Sequence, residues 1–311
     1  MEGARISSLP STRIALVTGG NKGIGLEVCR QLAGNGVTVV LTARDETRGA
    51  VAVEKLRDLG LSSVIFHQLD VTDAPSIARL ADFLRTRFGK LDILVNNAAL
   101  SGLEYLQDHV DATSTESEEK FSGMDMTQRL EWVLKRCRET YDAGKECLRT
   151  NYYGTKQVIE ALLPLLQASD DGRIVNVSSE FGQLRLFSNE ELKQELNDVT
   201  NLTEERLDEV LAMFLKDLET GAAEARGWPM VCSAYKVSKA VLNAYSRILA
   251  RRHPTLRVNC VHPGYVKTDM TLDSGFLTPE EGGSRLVAVA LLPAGGPTGL
   301  FFAERQEAPF V

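Results

Sequence analysis

Between Arg13 and Arg44 the chain reads as an apolar run, a turn on glycines, a helical pattern and a second apolar run. "RIALVTGG" and "VTVVLTAR" are apolar at consecutive positions. Successive side chains of a strand point to opposite faces, so a strand apolar throughout must be covered on both. That argues against a sheet with one wet face and for helices above and below. The stretch between them, "LEVCRQLAGNG", predicts a helix closing on Gly34 or Gly36. The pattern repeats in "GAVAVEKLRDLG" (helix), "SSVIFHQLDV" (strand), "APSIARLADFLRTRFG" (helix) and "LDILVNNAA" (strand). Pro75 falls in the first turn of its helix, where a missing N–H costs nothing. "GRIVNVSS" and "LRVNCVHPG" are later strands of the same kind. The fold expected is α/β, a single doubly wound parallel sheet in one domain over residues 1–311, with helical insertions.

The insertions are the stretches that break the alternation. Residues 101–146 open acidic and Ser/Thr-rich ("DHVDATSTESEEKFSGMD", a surface loop) and then turn helical. They are expected to cap a cleft, with Leu103, Tyr105 and Leu106 either lining an apolar pocket or packing as plain core. Residues 183–230 carry Leu207, Val210, Leu211, Phe214, Leu215 and Leu218 at the spacing of one buried helical stripe. Thr203 is the expected N-cap of that helix. Ser188 and Glu191 resemble a capping box before a shorter one.

The 311 residues carry a net charge of −7. An acidic chain lacks the basic footprint of a nucleic-acid partner and gains little from an anionic membrane. No apolar run approaches the ~18 residues of a membrane span. Five scattered cysteines without a Cys-x-x-Cys read as reduced thiols and give no metal site. The polar start "MEGARISSLPSTR" carries no secretory signal. A cytoplasmic protein is expected.

"VTGGNKGIG" opens the first helix directly after the first strand. Glycines there permit a tight turn and let a pyrophosphate approach bare N–H groups at the positive end of a helix. An NAD site wants an acid near the end of the second strand, for the ribose 2′-OH. This chain has Arg44 there and Lys22 inside the glycine loop. Two cations suit a 2′-phosphate, hence NADPH/NADP+. The plain alternatives are solvated surface charges and, for the neighbouring Asp45, the cap of the next helix.

Thr18-Gly19-x-x-x-Gly23-Ile24-Gly25, Asn96-Asn97-Ala98, Asn151, Ser178-Ser179, Tyr235-x-x-x-Lys239 and Pro263-Gly264 stand in the order found in the short-chain dehydrogenase/reductases. From about Arg13 to Thr268 the chain resembles that family, within it the carbonyl reductase branch, and there the plant members that reduce terpenoid and alkaloid ketones. The resemblance implies the Rossmann fold. It implies cofactor contacts from Gly19, Asn21, Lys22, Gly23, Ile24, Gly25 and Arg44. It also implies Asp70 at the adenine amino group with Val71 beside the ring, Asn97 on the ribose side, and Val266 and Thr268 at the nicotinamide carboxamide. Two departures stand out: Ala99 occupies a position the family fills with Gly, and the acidic Glu180 follows Ser179.

Tyr-x-x-x-Lys occurs three times, at Tyr141–Lys145, Tyr152–Lys156 and Tyr235–Lys239. Only the last follows the Ser strand and precedes Pro-Gly. On a helix that spacing puts both groups on one face, and a nearby ammonium favours phenolate. By resemblance Tyr235 is the proton donor, and Lys239 lowers its pKa and holds the nicotinamide ribose. Asn151 holds a water linking Lys239 to solvent, and Ser179 orients the carbonyl oxygen. Ser178 and Ser179 alternate on a strand, so only one can face the site, and the family pattern favours Ser179.

The function expected is NADPH-dependent reduction of a small-molecule ketone or aldehyde, bulky and apolar. The alternatives are an NADP+-dependent alcohol dehydrogenase and a non-catalytic NADP(H)-binding protein. Ser179 and Tyr235 lie 56 residues apart. By resemblance, the helical insertion between them covers the surface through which smaller members form tetramers, which implies a monomer.

Overall fold

The computed structural model describes residues 12–106 and 120–311. β1 (Ile14–Val17) passes through the glycine turn into α1 (Gly23–Gly34), followed by β2 (Thr38–Ala43), α2 (Glu46–Asp58), β3 (Val64–Gln68), α3 (Ala74–Phe88) and β4 (Ile93–Asn96). β5 (Leu103–Tyr105), α4 (Met126–Leu134) and β6 (Cys137–Glu139) lead to α5 (Tyr141–Leu148). A π turn over Arg149–Gly154 joins α5 to α6 (Thr155–Gln167). Then come β7 (Arg173–Val177), α7 (Glu190–Asn197), α8 (Glu204–Glu219) and α9 (Ser233–Arg252). β8 (Arg257–His262), α10 (Pro279–Ala290), β9 (Phe301–Ala303) and β10 (Gln306–Ala308) follow.

Eight strands form one sheet in the order β10-β9-β8-β7-β4-β1-β2-β3. Every pairing is parallel except that of β10 with β9. The alternation of apolar strand residues divides them between two cores. Ile14 and Leu16 of β1 join Leu94, α3, α6 and α9 on one face. Ala15 and Val17 join Ile93, Val95, α1, α2 and α10 on the other. Strand order reverses between β1 and β4, so the C-terminal ends of those strands open the crevice where a doubly wound sheet binds ligands.

The local signals place the helices. Thr203 caps α8, its hydroxyl accepting from the Arg206 N–H at 3.2 Å. Leu207, Val210, Leu211 and Phe214 are fully buried, and Leu215 and Leu218 pack against the same core. α7 starts one residue later than the Ser188–Glu191 pattern predicts, with Asn189 as its cap. The N–H groups of Ser188 and Asn189 both donate to the Gly227 carbonyl, which pins the chain short of a helical start at Ser188. Residues 101–146 are not helical alone: β5 and β6 pair antiparallel as a separate ribbon. The acidic stretch of that segment lies outside the described residues up to residue 119. β9 and β10 were not signalled by the sequence patterns.

Candidate active site

β1 and β4 are stapled where they end. The Thr18 N–H donates to the Val95 carbonyl at 3.0 Å. The Thr18 Oγ1 accepts from the N–H groups of Asn97 (2.9 Å) and Ala98 (3.0 Å). The Asn97 amide donates to the carbonyls of Thr18 (3.0 Å) and Gly19 (3.1 Å). Asn97 therefore shapes the glycine loop, and its NH2 is committed there. Gly19 sits at φ 64°. A Cβ on Gly25 would fall 2.4 Å from the Gly19 carbonyl oxygen, so only glycine lets this loop close on the helix. α1 has no capping side chain and no acid in its first turn. Its open N–H groups and positive end fit a pyrophosphate. Asn21 is half-buried in the turn, and Ile24 packs toward the α1–α10 core.

Arg44 follows β2, exposed, and its guanidinium has no acidic partner among the described residues. Asp45 is the N-cap of α2, its carboxylate accepting from the Arg48 N–H at 2.8 Å. The acid is thereby engaged with a helix rather than with the exposed Arg44. Lys22 is exposed in the glycine turn, and its ammonium bonds the Asp269 carboxylate. Asp70 lies beyond β3, its Oδ1 accepting from the N–H (2.9 Å) and hydroxyl (2.8 Å) of Thr72. Val71 is buried beside it. After Pro263-Gly264 the chain brings Thr268 over the glycine loop, its γ-methyl 3.4 Å from where a Gly23 Cβ would be. Val266 is buried, and its carbonyl accepts from the Thr271 hydroxyl at 2.8 Å. Residues 265–277 thus form a flap over the crevice. Tyr105 donates to the Met270 carbonyl at 2.9 Å, and Arg129 donates to those of Ser274 (3.1 Å) and Gly275 (3.0 Å).

At the foot of the crevice β7 delivers the two serines. Ser178 turns inward, its hydroxyl donating to Asn243 at 2.6 Å. Ser179 caps a short 3-10 turn, its hydroxyl accepting from the Phe181 N–H at 3.1 Å, and it is the side chain that favours ionisation of Tyr235. α9 carries Tyr235 and Lys239 one turn apart. The Lys239 ammonium lies 5.5 Å from the Tyr235 ring and donates to the Val177 carbonyl at 2.7 Å. Burial pulls the Lys239 ammonium down to about 8. Burial also pushes the Tyr235 phenol up, an effect that the neighbouring Ser179 opposes. For both groups removal from water is the largest influence, and it disfavours the charged form of each.

Asn151 sits in the π turn, a device frequent at functional sites. Its amide donates to the Leu100 carbonyl and the Ser238 hydroxyl, each at 3.0 Å, and its Oδ1 accepts from the Leu100 N–H at 2.8 Å. Ser238 was not picked out in the sequence, although it shares the face of Tyr235 at i+3. The other two tyrosine–lysine pairs lie elsewhere. Tyr152 is fully buried, with Lys156 held by Glu204 and Asp208 at 3.3 Å each. Tyr141 opens α5.

A parallel sheet with a glycine-lined helix terminus at its switch point, and a Ser, Tyr and Lys converging beside it, defines a nicotinamide-dependent oxidoreductase acting on carbonyl or alcohol groups. The family model for short chain dehydrogenases matches residues 13–127. The chain is 49% identical over 306 residues to short-chain dehydrogenase/reductase 1 of Saponaria officinalis, covering 98% of each. It is 48% identical over 302 residues to (+)-neomenthol dehydrogenase of Arabidopsis thaliana, covering 96% of this chain and 98% of the relative. It is 39% identical over 306 residues to human carbonyl reductase [NADPH] 1, covering 94% and 96%. The solved structure of salutaridine reductase from Papaver somniferum superposes with a TM-score of 0.85 at 49% identity, covering 93% of this chain and 99% of that one. The chain belongs to the short-chain dehydrogenase/reductase family.

Proposed function

We propose that the protein uses NADPH to reduce a bulky, largely apolar ketone or aldehyde, of terpenoid or alkaloid type, to its alcohol. The observation that carries the reading is the convergence of Ser179, Tyr235 and Lys239 beside the uncapped N-terminus of α1. NADPH over NADH is favoured by the exposed Arg44, which has no acidic partner among the described residues, and by Asp45, which is engaged as the α2 cap. The name of the human relative, carbonyl reductase [NADPH] 1, agrees with it. A bulky apolar substrate is favoured by Leu106, Met126, Met230, Val231 and Phe276. These stay exposed on the ribbon, on α4, on the turn before α9 and on the flap. We further read the chain as a cytoplasmic monomer of one domain with two insertions.

A bound nicotinamide cofactor would supply the hydride for the carbonyl carbon. The chain does the rest. Ser179 Oγ donates to the carbonyl oxygen and fixes its direction. Tyr235 passes its phenolic proton to the same oxygen as negative charge develops there, so one hydride and one proton complete the alcohol. Lys239 offers a cation to the tyrosinate left behind and a donor to the nicotinamide ribose. The Asn151 side chain is already committed to Leu100 and Ser238. Any water it offers for refilling the proton is therefore held by its backbone carbonyl.

The test follows NADPH absorbance with menthone, a quinone, a bulky alkaloid-like ketone and an aromatic aldehyde. Tyr235→Phe is expected to lose roughly 10²–10⁴-fold in kcat while still binding NADPH. Tight NADPH binding with no turnover across the panel would instead favour a cofactor-binding protein without catalysis.

A further inference from the structure

α9 begins without a cap of its own. Cys232 at the N-cap position is left-handed (φ 54°) with no side-chain bond, and the first turn holds no acid. Val231 before it is left-handed too (φ 60°), a conformation strained for a β-branched residue. The positive end of a 20-residue helix thus stands open just before the proton donor. The missing cap arrives from 94 positions upstream. Glu139, the last residue of β6, accepts through Oε1 from the Ser233 N–H at 2.5 Å and from the Ser233 hydroxyl at 2.8 Å. From the other side the Lys236 ammonium donates to the Met230 carbonyl at 2.7 Å and tethers the same turn. β6 is itself held in register with β5, Glu139 opposite Leu103 and Cys137 opposite Tyr105. Tyr105 reaches the flap through the Met270 carbonyl. One short ribbon therefore touches both the flap that bears Thr268 and the helical turn that bears Tyr235.

We propose that Glu139 is a positioning residue for the proton donor: it caps α9 from the insertion and, through the β5–β6 ribbon, ties the placement of Tyr235 to the seating of the flap. The proposal rests on Tyr235 being that donor. Glu139 touches neither cofactor nor substrate in this scheme, and it acts through Ser233. An acid with a single acceptor oxygen on two donors is replaced in geometry by an amide oxygen, so the acceptor rather than the charge carries the effect.

Glu139→Ala, Glu139→Gln and Tyr235→Phe are compared with the unaltered chain in three measurements: NADPH turnover of menthone and of benzaldehyde, the NADPH dissociation constant, and deuterium uptake of the first turn of α9. In Glu139→Ala the expected result is faster uptake there and unchanged NADPH binding. Its kcat should fall about tenfold or more, as misplacement of a reacting group costs, with a larger solvent isotope effect on kcat. Glu139→Gln should keep most of the turnover and the slow uptake. Unchanged uptake in Glu139→Ala overturns the proposal by itself and needs no turnover. It is equally overturned if kcat is unchanged, if kcat and NADPH binding fall together, or if Gln is as damaging as Ala. Turnover that survives Tyr235→Phe sinks the donor assignment instead, whatever the Glu139 variants do.

Discussion

Tyr235 and Lys239 show how burial divides the work of a pair. The phenol is pushed above its ordinary value, so it keeps its proton throughout the neutral and mildly alkaline range. The ammonium is pulled down to about 8, cationic below that pH and neutral above it. A reductase that needs both the proton and the cation should therefore lose kcat as pH rises through about 8, and the limb belongs to Lys239. Lys239→Met should be slow throughout and flat between about pH 7 and pH 9, because the titrating group is gone. An alkaline limb that persists in that variant would contradict the assignment. Arg44 allows a separate test. Its guanidinium has no competing acid among the described residues, so Arg44→Ala removes charge-assisted bonds to the 2′-phosphate worth about 1.5–3 kcal/mol. Titration of cofactor fluorescence should show NADPH binding weakened by roughly ten- to a hundredfold, at about 1.4 kcal/mol per decade, with NADH nearly unaffected.

Among the elements, α8 is the one whose removal would be felt furthest. Its stripe buries Leu207, Val210, Leu211 and Phe214, and Phe214 meets Trp228 edge-on at 5.2 Å between ring centroids. Phe214→Ala should destabilise the chain by about 3–5 kcal/mol, through lost burial and the cavity left behind. Thr203→Ala should cost about 1 kcal/mol by stripping one cap. Urea unfolding measures both, and a loss for Phe214→Ala no larger than for Thr203→Ala would mean the stripe is not packed as described. Glu204 in the first turn of α8 is buried and bonded to Arg252 of α9 and Lys156 of α6. That triangle explains why Tyr152–Lys156 is a structural pair: its lysine serves two carboxylates. α9, in contrast, takes its cap from β6, a contact for which the local pattern held no signal.

At the level of the molecule, the sheet order sets where chemistry can happen and α8 bears on how many copies are needed. α8 lies along α9 and is bonded to α6, covering an apolar helical face that would otherwise need a partner. The chain should sediment as a monomer, and a concentration-dependent dimer would require another interface. No helix among the described residues is long and apolar enough to cross a membrane.

Much of this was readable in the linear chain because the rules involved are short-ranged. Strand alternation, the glycine loop, Thr203 as a cap and the one-turn spacing of Tyr235 and Lys239 depend on residues within about four positions of one another, the reach of helix pitch and backbone sterics. Ser188 shows the limit of such rules, since a carbonyl from Gly227 moved the start of α7 by one residue. The placement of Thr268 over Gly23, the Lys22–Asp269 pair, the double commitment of the Asn151 amide and the Glu139 cap on Ser233 all join residues far apart in sequence. So do the opposite shifts of Tyr235 and Lys239, which come from how much protein surrounds them. These follow from sheet order and from which groups packing removes from water, and only the folded chain decides either.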